Sequence, residues 1–481
     1  MRWRRQKTSE SAHRGVALGA ETEVDSTTPM SFTPADSRTT PGAALNNSRP
    51  TRARYIVLGF ALSLAVIVYV DRVCIASAKP EISHDLGLSE TQMGLVFSIF
   101  AIAYALFEVP AGWMGDRYGP RGALMKVVVL MSMFTAATGL VWNYASLLVC
   151  RFIFGVGEAG CFPNLTKVLT IWLPTEDRSR AQGLLWLAAR WGGAFTPPLV
   201  VWAISRVGWR WAFFPFALLG IVWAIGFYRW FRDRPREHPA VNAAELALLD
   251  GAERNAPGLH SVPWGRLVAS RTIWLLWLQY FCLSYGWYFY ITWLPSYMKD
   301  ALHMSKDRVA GLGTLPLFFG GIGCLIGGWL AKRLGAAWGD VRKARRIVAA
   351  GGLFFAGALL VLVTQVSNPT VCIVVLALAS FSNDLAIAPD WAACMDVGGR
   401  FAGSVSGSMN MMGNVGSVLG PIVVGYILDA SKAAPDLPPT VEGYARAFYI
   451  AAAVYVVGAV AWLFIDPVTP LEEKKAEGLK G

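Results

Sequence analysis

The chain has 481 residues and a formal net charge of +11, with 54% hydrophobic and only 16% charged residues, against about 25% charged for ordinary globular proteins. No soluble core accounts for that apolar surplus, whereas many separate segments of about 20 residues do, so the chain reads as an all-α, polytopic membrane protein. The positive charge lies largely in the tails and loops between apolar runs, which speaks for membrane topology and against a nucleic-acid partner.

Residues 1–54 are polar, rich in Ser, Thr, Pro and Arg, and lack periodicity, as expected of a disordered cytoplasmic tail. The basic start (Arg2, Arg4, Arg5, Lys7) is followed by no apolar h-region, so it does not read as a signal peptide. Met30 is an alternative start.

Twelve apolar segments follow, near 55–78, 92–114, 122–142, 146–171, 181–204, 209–230, 271–298, 309–331, 346–366, 369–395, 402–428 and 444–466. The hydrophilic stretch 231–270 divides six from six, giving an N-terminal bundle (55–230), a cytoplasmic linker (231–270), a C-terminal bundle (271–466) and a short tail (467–481). Asn242 to Arg254 reads as an interfacial helix within the linker. With both termini in the cytoplasm, the inner loops carry more than twice as many Lys and Arg as the outer ones, which fixes the orientation. The expected location is the inner (plasma) membrane, with the chain acting as a monomer. The seven cysteines are scattered through apolar segments without ligand spacing and read as small buried hydrophobes.

An internal repeat supports two parallel halves. Gly112-Trp113-Met114-Gly115-Asp116-Arg117-Tyr118-Gly119 follows span two, and Gly328-Trp329-Leu330-Ala331-Lys332-Arg333-Leu334-Gly335 follows span eight. Matched copies in two pseudo-symmetric six-helix halves suit a substrate path between them.

Span four holds the densest charge. Arg151 and Glu158 are two helical turns apart, hence on one face, with Gly155, Gly157 and Gly160 allowing close helix approach. Intramembrane charge is costly, so this face reads as a water-accessible lining or as a structural ion pair.

These features resemble the major facilitator superfamily. Gly112 to Arg121 is similar to its signature between spans two and three. More narrowly, the chain resembles the anion:cation symporter family, which includes bacterial hexuronate, galactonate and glucarate transporters and the vesicular glutamate and sialic-acid transporters. The residues that carry this are Tyr69-Val70-Asp71-Arg72, Tyr104, Arg151, Gly155, Glu158 and Pro163, then Trp172-Leu173-Pro174 and Arg178. Further along they are Tyr288-Phe289-Tyr290-Ile291-Thr292-Trp293-Leu294-Pro295, Trp391, Asp396, Gly403, Gly407, Asn410, Gly413 and Asn414.

The resemblance implies proton-coupled symport of a small organic anion, such as a sugar acid, by alternating access. Asp71 is a candidate proton carrier, because burial disfavours a charged carboxylate, and the family implies that role for the equivalent acid. Glu158 is the second candidate, its charge depending on how close Arg151 stands. Arg72 can present a planar fork to a substrate carboxylate, as the family implies, or serve as counter-ion to Glu158 or Asp71. Arg190 departs from galactonate-type relatives. It reads as a second carboxylate contact, implying a dicarboxylate or aromatic acid, or as counter-ion to Asp384. Asp390, after Pro389, suggests a broken helix there. Trp391 reads as a stacking surface for substrate or as packing. Tyr69, Tyr104, Tyr285 and Tyr288 offer hydroxyls, Asn410 an amide, and Glu108 is a further candidate. Lys167 is expected to snorkel to the cytoplasmic interface. Asp116, Arg117 and Arg121 read as a cytoplasmic latch between the halves, or as ordinary anchoring charge.

No GxxxxGK[ST] loop or catalytic set is visible, so neither ATP drive, an enzyme, a metal nor a cofactor is expected. The rivals are an exporter or aromatic-acid carrier of the same superfamily, and a membrane sensor that binds such an acid without moving it.

Overall fold

The computed structural model describes residues 49–258, 261–432 and 439–471. The alternative start at Met30 and most of the two expected tails lie outside the described residues. Every regular element described is helical: α1 (Ala53–Ser77), α2 (Lys79–Leu86), α3 (Glu90–Tyr118), α4 (Pro120–Thr138), α5 (Tyr144–Glu158), α6 (Cys161–Trp172), α7 (Thr175–Trp230), α8 (Ala243–Glu253) and α9 (Trp264–Ala269). Then come α10 (Arg271–Thr292), α11 (Leu294–Ser296), α12 (Lys306–Leu312), α13 (Leu315–Trp338), α14 (Val341–Val363), α15 (Pro369–Asp384), α16 (Ile387–Gly398), α17 (Ala402–Ser431) and α18 (Val441–Phe464).

Local chemistry sets these limits. Ser89 opens α3 with a reciprocal capping box, its Oγ accepting from the Gln92 N–H at 3.2 Å while its own N–H donates to the Gln92 side chain at 2.9 Å. Asn143 and Ser146 repeat the device at α5. Gly119 ends α3 with φ 93°, a left-handed conformation that suits glycine, and the Asp233 carboxylate packs where a side chain would stand.

Nine stretches among the described residues are long and apolar enough to cross a bilayer. Two of them, Thr175–Trp230 with 56 residues and Pro369–Ser431 with 63, hold two passes each, since about 20 helical residues suffice for one. With α10, too rich in Trp and Tyr to stand out by hydropathy, the passes number twelve. The segments expected at 181–204 and 209–230 run on as one helical stretch, broken only at Gly208, where φ is 78°. The break in span ten falls at 385–386 rather than at Asp390, whose N–H reaches the Ala386 carbonyl at 3.0 Å.

Outward-facing side chains such as Leu106, Trp202, Leu218 and Phe355 are exposed, as lipid contact requires. In the first half, α1 packs on α7, α3 on α5, and α4 on α5 and α7. In the second, α10 packs on α17 and α18, and α14 on α15 and α18. Between the halves, α3 meets α17 and α13 meets α7. The two repeat copies therefore sit on spans two and eight, and each faces the opposite half at spans eleven and five, a two-fold relation.

Candidate functional site

A seam closes the side that carries the Arg- and Lys-rich loops, here the basic side. Backbone meets backbone along it. A Cβ at Gly112 would strike the Gly403 carbonyl, and one at Gly183 would lie 2.6 Å from the Cys324 carbonyl. Only glycine permits that approach.

Asp116 anchors the seam. Its carboxylate accepts from the Gly403 N–H at 3.0 Å and from the Ser404 N–H and Oγ–H at 2.7 Å each, at the start of α17. The unpaired N–H groups and dipole of a helix N-terminus favour an anion there. Lys167 lies 3.3 Å from Asp116 and donates to the Arg400 carbonyl. It is fully buried, so the snorkelling expected of it is corrected: it serves the seam. Asp396 pairs with Arg178 of the other half and with Arg345, and Arg345 also donates to Ser179 Oγ at 3.1 Å.

Of the expected latch, only Asp116 reaches across. Arg117 lies over Trp113 and Tyr118 of its own helix. Arg121 donates to the Tyr228 carbonyl at 2.6 and 2.9 Å, within its own half. Those two expectations are corrected, because both guanidiniums find nearer partners on α3 and α7.

Where the seam ends, a narrow cavity of about 60 Å³ begins between the halves. Its wall combines Tyr69 and Arg72 of α1, Tyr104 of α3, Phe162 of α6, Trp186 and Arg190 of α7, Tyr280, Leu283, Ser284, Trp287 and Tyr288 of α10, Ile387 of α16, and Asn410, Gly413, Asn414 and Ser417 of α17. Among the described residues, two guanidiniums are on that wall and no carboxylate is.

The carboxylates stand behind it. Arg72 Nε–H donates to Glu158 at 2.6 Å, with Glu158 fully buried and the Arg72 side chain 26% exposed. The Arg72 guanidinium also lies over Tyr104 at 4.8 Å and Tyr69 at 5.4 Å. Arg190 donates to Asp384 of the opposite half at 3.1 and 3.3 Å, its face 3.9 Å from the Trp287 ring centre. It is the counter-ion to Asp384, one of its two expected roles, and it also borders the cavity. Glu108 accepts from Asn410 and, at 3.0 Å, from Asn414, so it ties α3 to α17 just below the cavity.

Three expectations shift. Glu158 pairs with Arg72 rather than with Arg151. The Arg151 guanidinium lies over Phe154 at 4.2 Å and Phe100 at 5.0 Å, away from the cavity wall. Trp391 is fully buried one layer behind the wall, donating its indole N–H to Tyr280 at 3.0 Å and packing 5.3 Å from Trp186. Asp71 is buried near Thr135, Glu158 and Arg151, off the cavity wall. Asp390 accepts from the Trp462 indole at 2.9 Å, away from the cavity.

Some wall residues were missed. Phe162, Trp186, Trp287 and Tyr280 read as ordinary apolar packing in sequence. A signal did exist: Asn410, Gly413, Asn414 and Ser417 mark one face of α17, and Tyr280, Ser284, Trp287 and Tyr288 mark one face of α10.

A helical bundle of this topology around a cavity of buried charge is a membrane transporter's architecture. The family model of the Major Facilitator Superfamily matches residues 61–421, and the chain belongs to that family. It is a multi-pass membrane transporter and not an enzyme. It is 35% identical over 426 residues to a probable sulfoacetate transporter of Cupriavidus necator, covering 88% of this chain and 96% of that protein. It is 29% identical to a probable L-galactonate transporter of Escherichia coli, covering 90% and 95%. Among solved structures, it superposes on the fucose:proton symporter of E. coli with a TM-score of 0.68 at 16% identity, covering 86% and 99%. The human organic anion transporter MFSD10 gives 0.66 at 14%, covering 85% and 99%. At these identities the two solved structures speak for the fold alone.

Proposed function

We propose that this transporter carries a small organic anion together with protons across the inner membrane, both termini lying in the cytoplasm, by alternating access as a single chain. The observation that carries the anion is the wall itself: two guanidiniums face the cavity, and every paired carboxylate stands behind. Each guanidinium keeps N–H groups that its internal carboxylate does not use, and these can receive an incoming carboxylate. Tyr69, Tyr104, Tyr288 and Asn410 supply polar contacts for the rest of the molecule, and the relatives named for sulfoacetate and galactonate are in keeping with this.

Asp71 and Glu158 are the proposed proton carriers. While Glu158 holds Arg72, an incoming anion competes with it, and a proton on Glu158 frees the guanidinium for substrate. The seam then represents the closed cytoplasmic gate of an outward-facing state. Its opening, with closure above the cavity, releases substrate inward.

The test is uptake of labelled organic anions, including sugar acids and aromatic acids, into liposomes holding the purified protein under a proton gradient. Accumulation should collapse with a protonophore and in Asp71→Asn. Accumulation indifferent to both removes the proton, and binding without flux of any anion favours a sensor.

A further inference from the structure

We propose that the cavity takes small organic dianions, with one acid group held by Arg72 and the other by Arg190; this rests on the organic-anion reading above. Arg190 and Arg72 border the same cavity from α7 and α1. Each is already engaged by one internal carboxylate: Arg72 meets a single oxygen of Glu158 in its own half, and Arg190 meets both oxygens of Asp384 in the other. Arg190 meets Asp384 through two N–H groups, at 3.1 and 3.3 Å, the forked geometry with which arginine receives a planar acid group. Asp384 is itself fully buried and steadied by the Asn383 amide at 2.8 Å. The Trp287 ring covers one face of the Arg190 guanidinium and keeps water from it.

A guanidinium held only as a structural tie has no need to border the cavity. Arg190 does border it, and the fork has five N–H groups, of which Asp384 engages two. Charge balance sets the stoichiometry. An acid group arriving at each guanidinium leaves the internal carboxylate behind it uncompensated, which is costly at this depth. Each such carboxylate then takes up one proton, which adds Asp384 to Asp71 and Glu158 as a group protonated when a dianion is bound. Two guanidiniums and two internal carboxylates therefore suit two substrate acid groups, which are carboxylates or sulfonates. The Arg190–Asp384 pair also joins the two halves, so a second acid group that displaces Asp384 loosens them, and a monoanion does not.

The experiment is calorimetric titration of the purified full-length protein with short aliphatic diacids, and with the same molecules carrying an amide in place of one acid. The wild type should bind a diacid at least about tenfold more tightly than its half-amide. In the double variant Arg190→Gln with Asp384→Asn, which leaves no buried charge unpaired, diacid affinity should fall to about that of the half-amide, so that the preference disappears. A preference that survives the double variant, or is missing in the wild type, overturns the proposal. Should the double variant bind nothing, the wild type still decides. Diacid affinity must peak at one separation of the acid groups, and a flat dependence on length overturns the proposal. Failure of the wild type to bind any of these acids, diacid or half-amide, would instead overturn the organic-anion reading.

Discussion

Arg72 and Glu158, 86 residues apart in the chain, share a hydrogen bond of 2.6 Å that places a guanidinium on the cavity wall and its counter-charge behind. Removing one partner of a buried ion pair costs about 3–5 kcal/mol, because the other charge is stranded. Glu158→Gln should therefore melt at lower temperature than the wild type, and a bound anion should restore more of the loss than it adds to the wild type. Proton-driven accumulation should vanish in the same variant. Thermal shift with and without ligand, beside liposome uptake, checks both.

Asp116 holds the seam by three hydrogen bonds to α17 and an ion pair with Lys167. Hydrogen bonds to a charged group are worth about 1.5–3 kcal/mol each, and 1.4 kcal/mol is about a tenfold change in population. Asp116→Asn should thus open the basic side more often. A cysteine at Gln182, which is buried and reaches Met395 of the other half at 3.3 Å, should react with a permeant maleimide at least about tenfold faster in that background. The seven native cysteines are buried and give the baseline. An unchanged rate would show that Asp116 does not hold the gate.

Gly328 faces the Ser179 carbonyl, and a Cβ there would also lie 3.2 Å from Gly183 Cα. Overpacking of this kind costs about 1–3 kcal/mol. Gly328→Ala should keep the seam from shutting, and it should reduce outside binding and net uptake at least about tenfold. Gly59→Ala, with nothing within 4 Å, is the control and should transport normally. Equal transport in both variants would refute the close-packed seam.

His238 lies outside the membrane spans, buried against Trp230 and Trp172. Its Nε2–H donates to the Trp230 carbonyl at 3.0 Å, and Nδ1 accepts from the Ala240 N–H at 3.1 Å, so the ring is held neutral. Burial depresses its pKa below the ordinary 6.5. The unfolded chain then binds a proton that the folded one refuses, so the stability from His238 is full above about pH 6.5 and declines as pH falls through the folded value. The melting temperature of the wild type should drop between pH 7 and 5 by more than that of His238→Gln. Parallel curves would exclude the histidine.

Much of the fold was legible because apolar runs of membrane length are hard to mistake, and the Gly112 and Gly328 repeats located the two inter-half contacts. Arg72, Tyr69, Tyr104, Tyr288 and Asn410 were legible because polar groups at that depth need a reason. The pairing was not. Arg151 and Glu158 share a helix face in sequence, yet the α5–α6 break and the approach of α1 give Glu158 to Arg72. Lys167 looked like a side chain reaching for water, because nothing in its own segment shows that Asp116 and the Arg400 carbonyl close over it. Trp391 and Trp186 differ by a single layer of packing, which composition does not encode.

Because main chain touches main chain at Gly112, Gly183, Gly403 and Gly407, the closure on the basic side has few side-chain hinges that could swing aside alone. Thermal flicker of one rotamer cannot thread a file of water through it. Opening the basic side therefore calls for whole helices to tilt together.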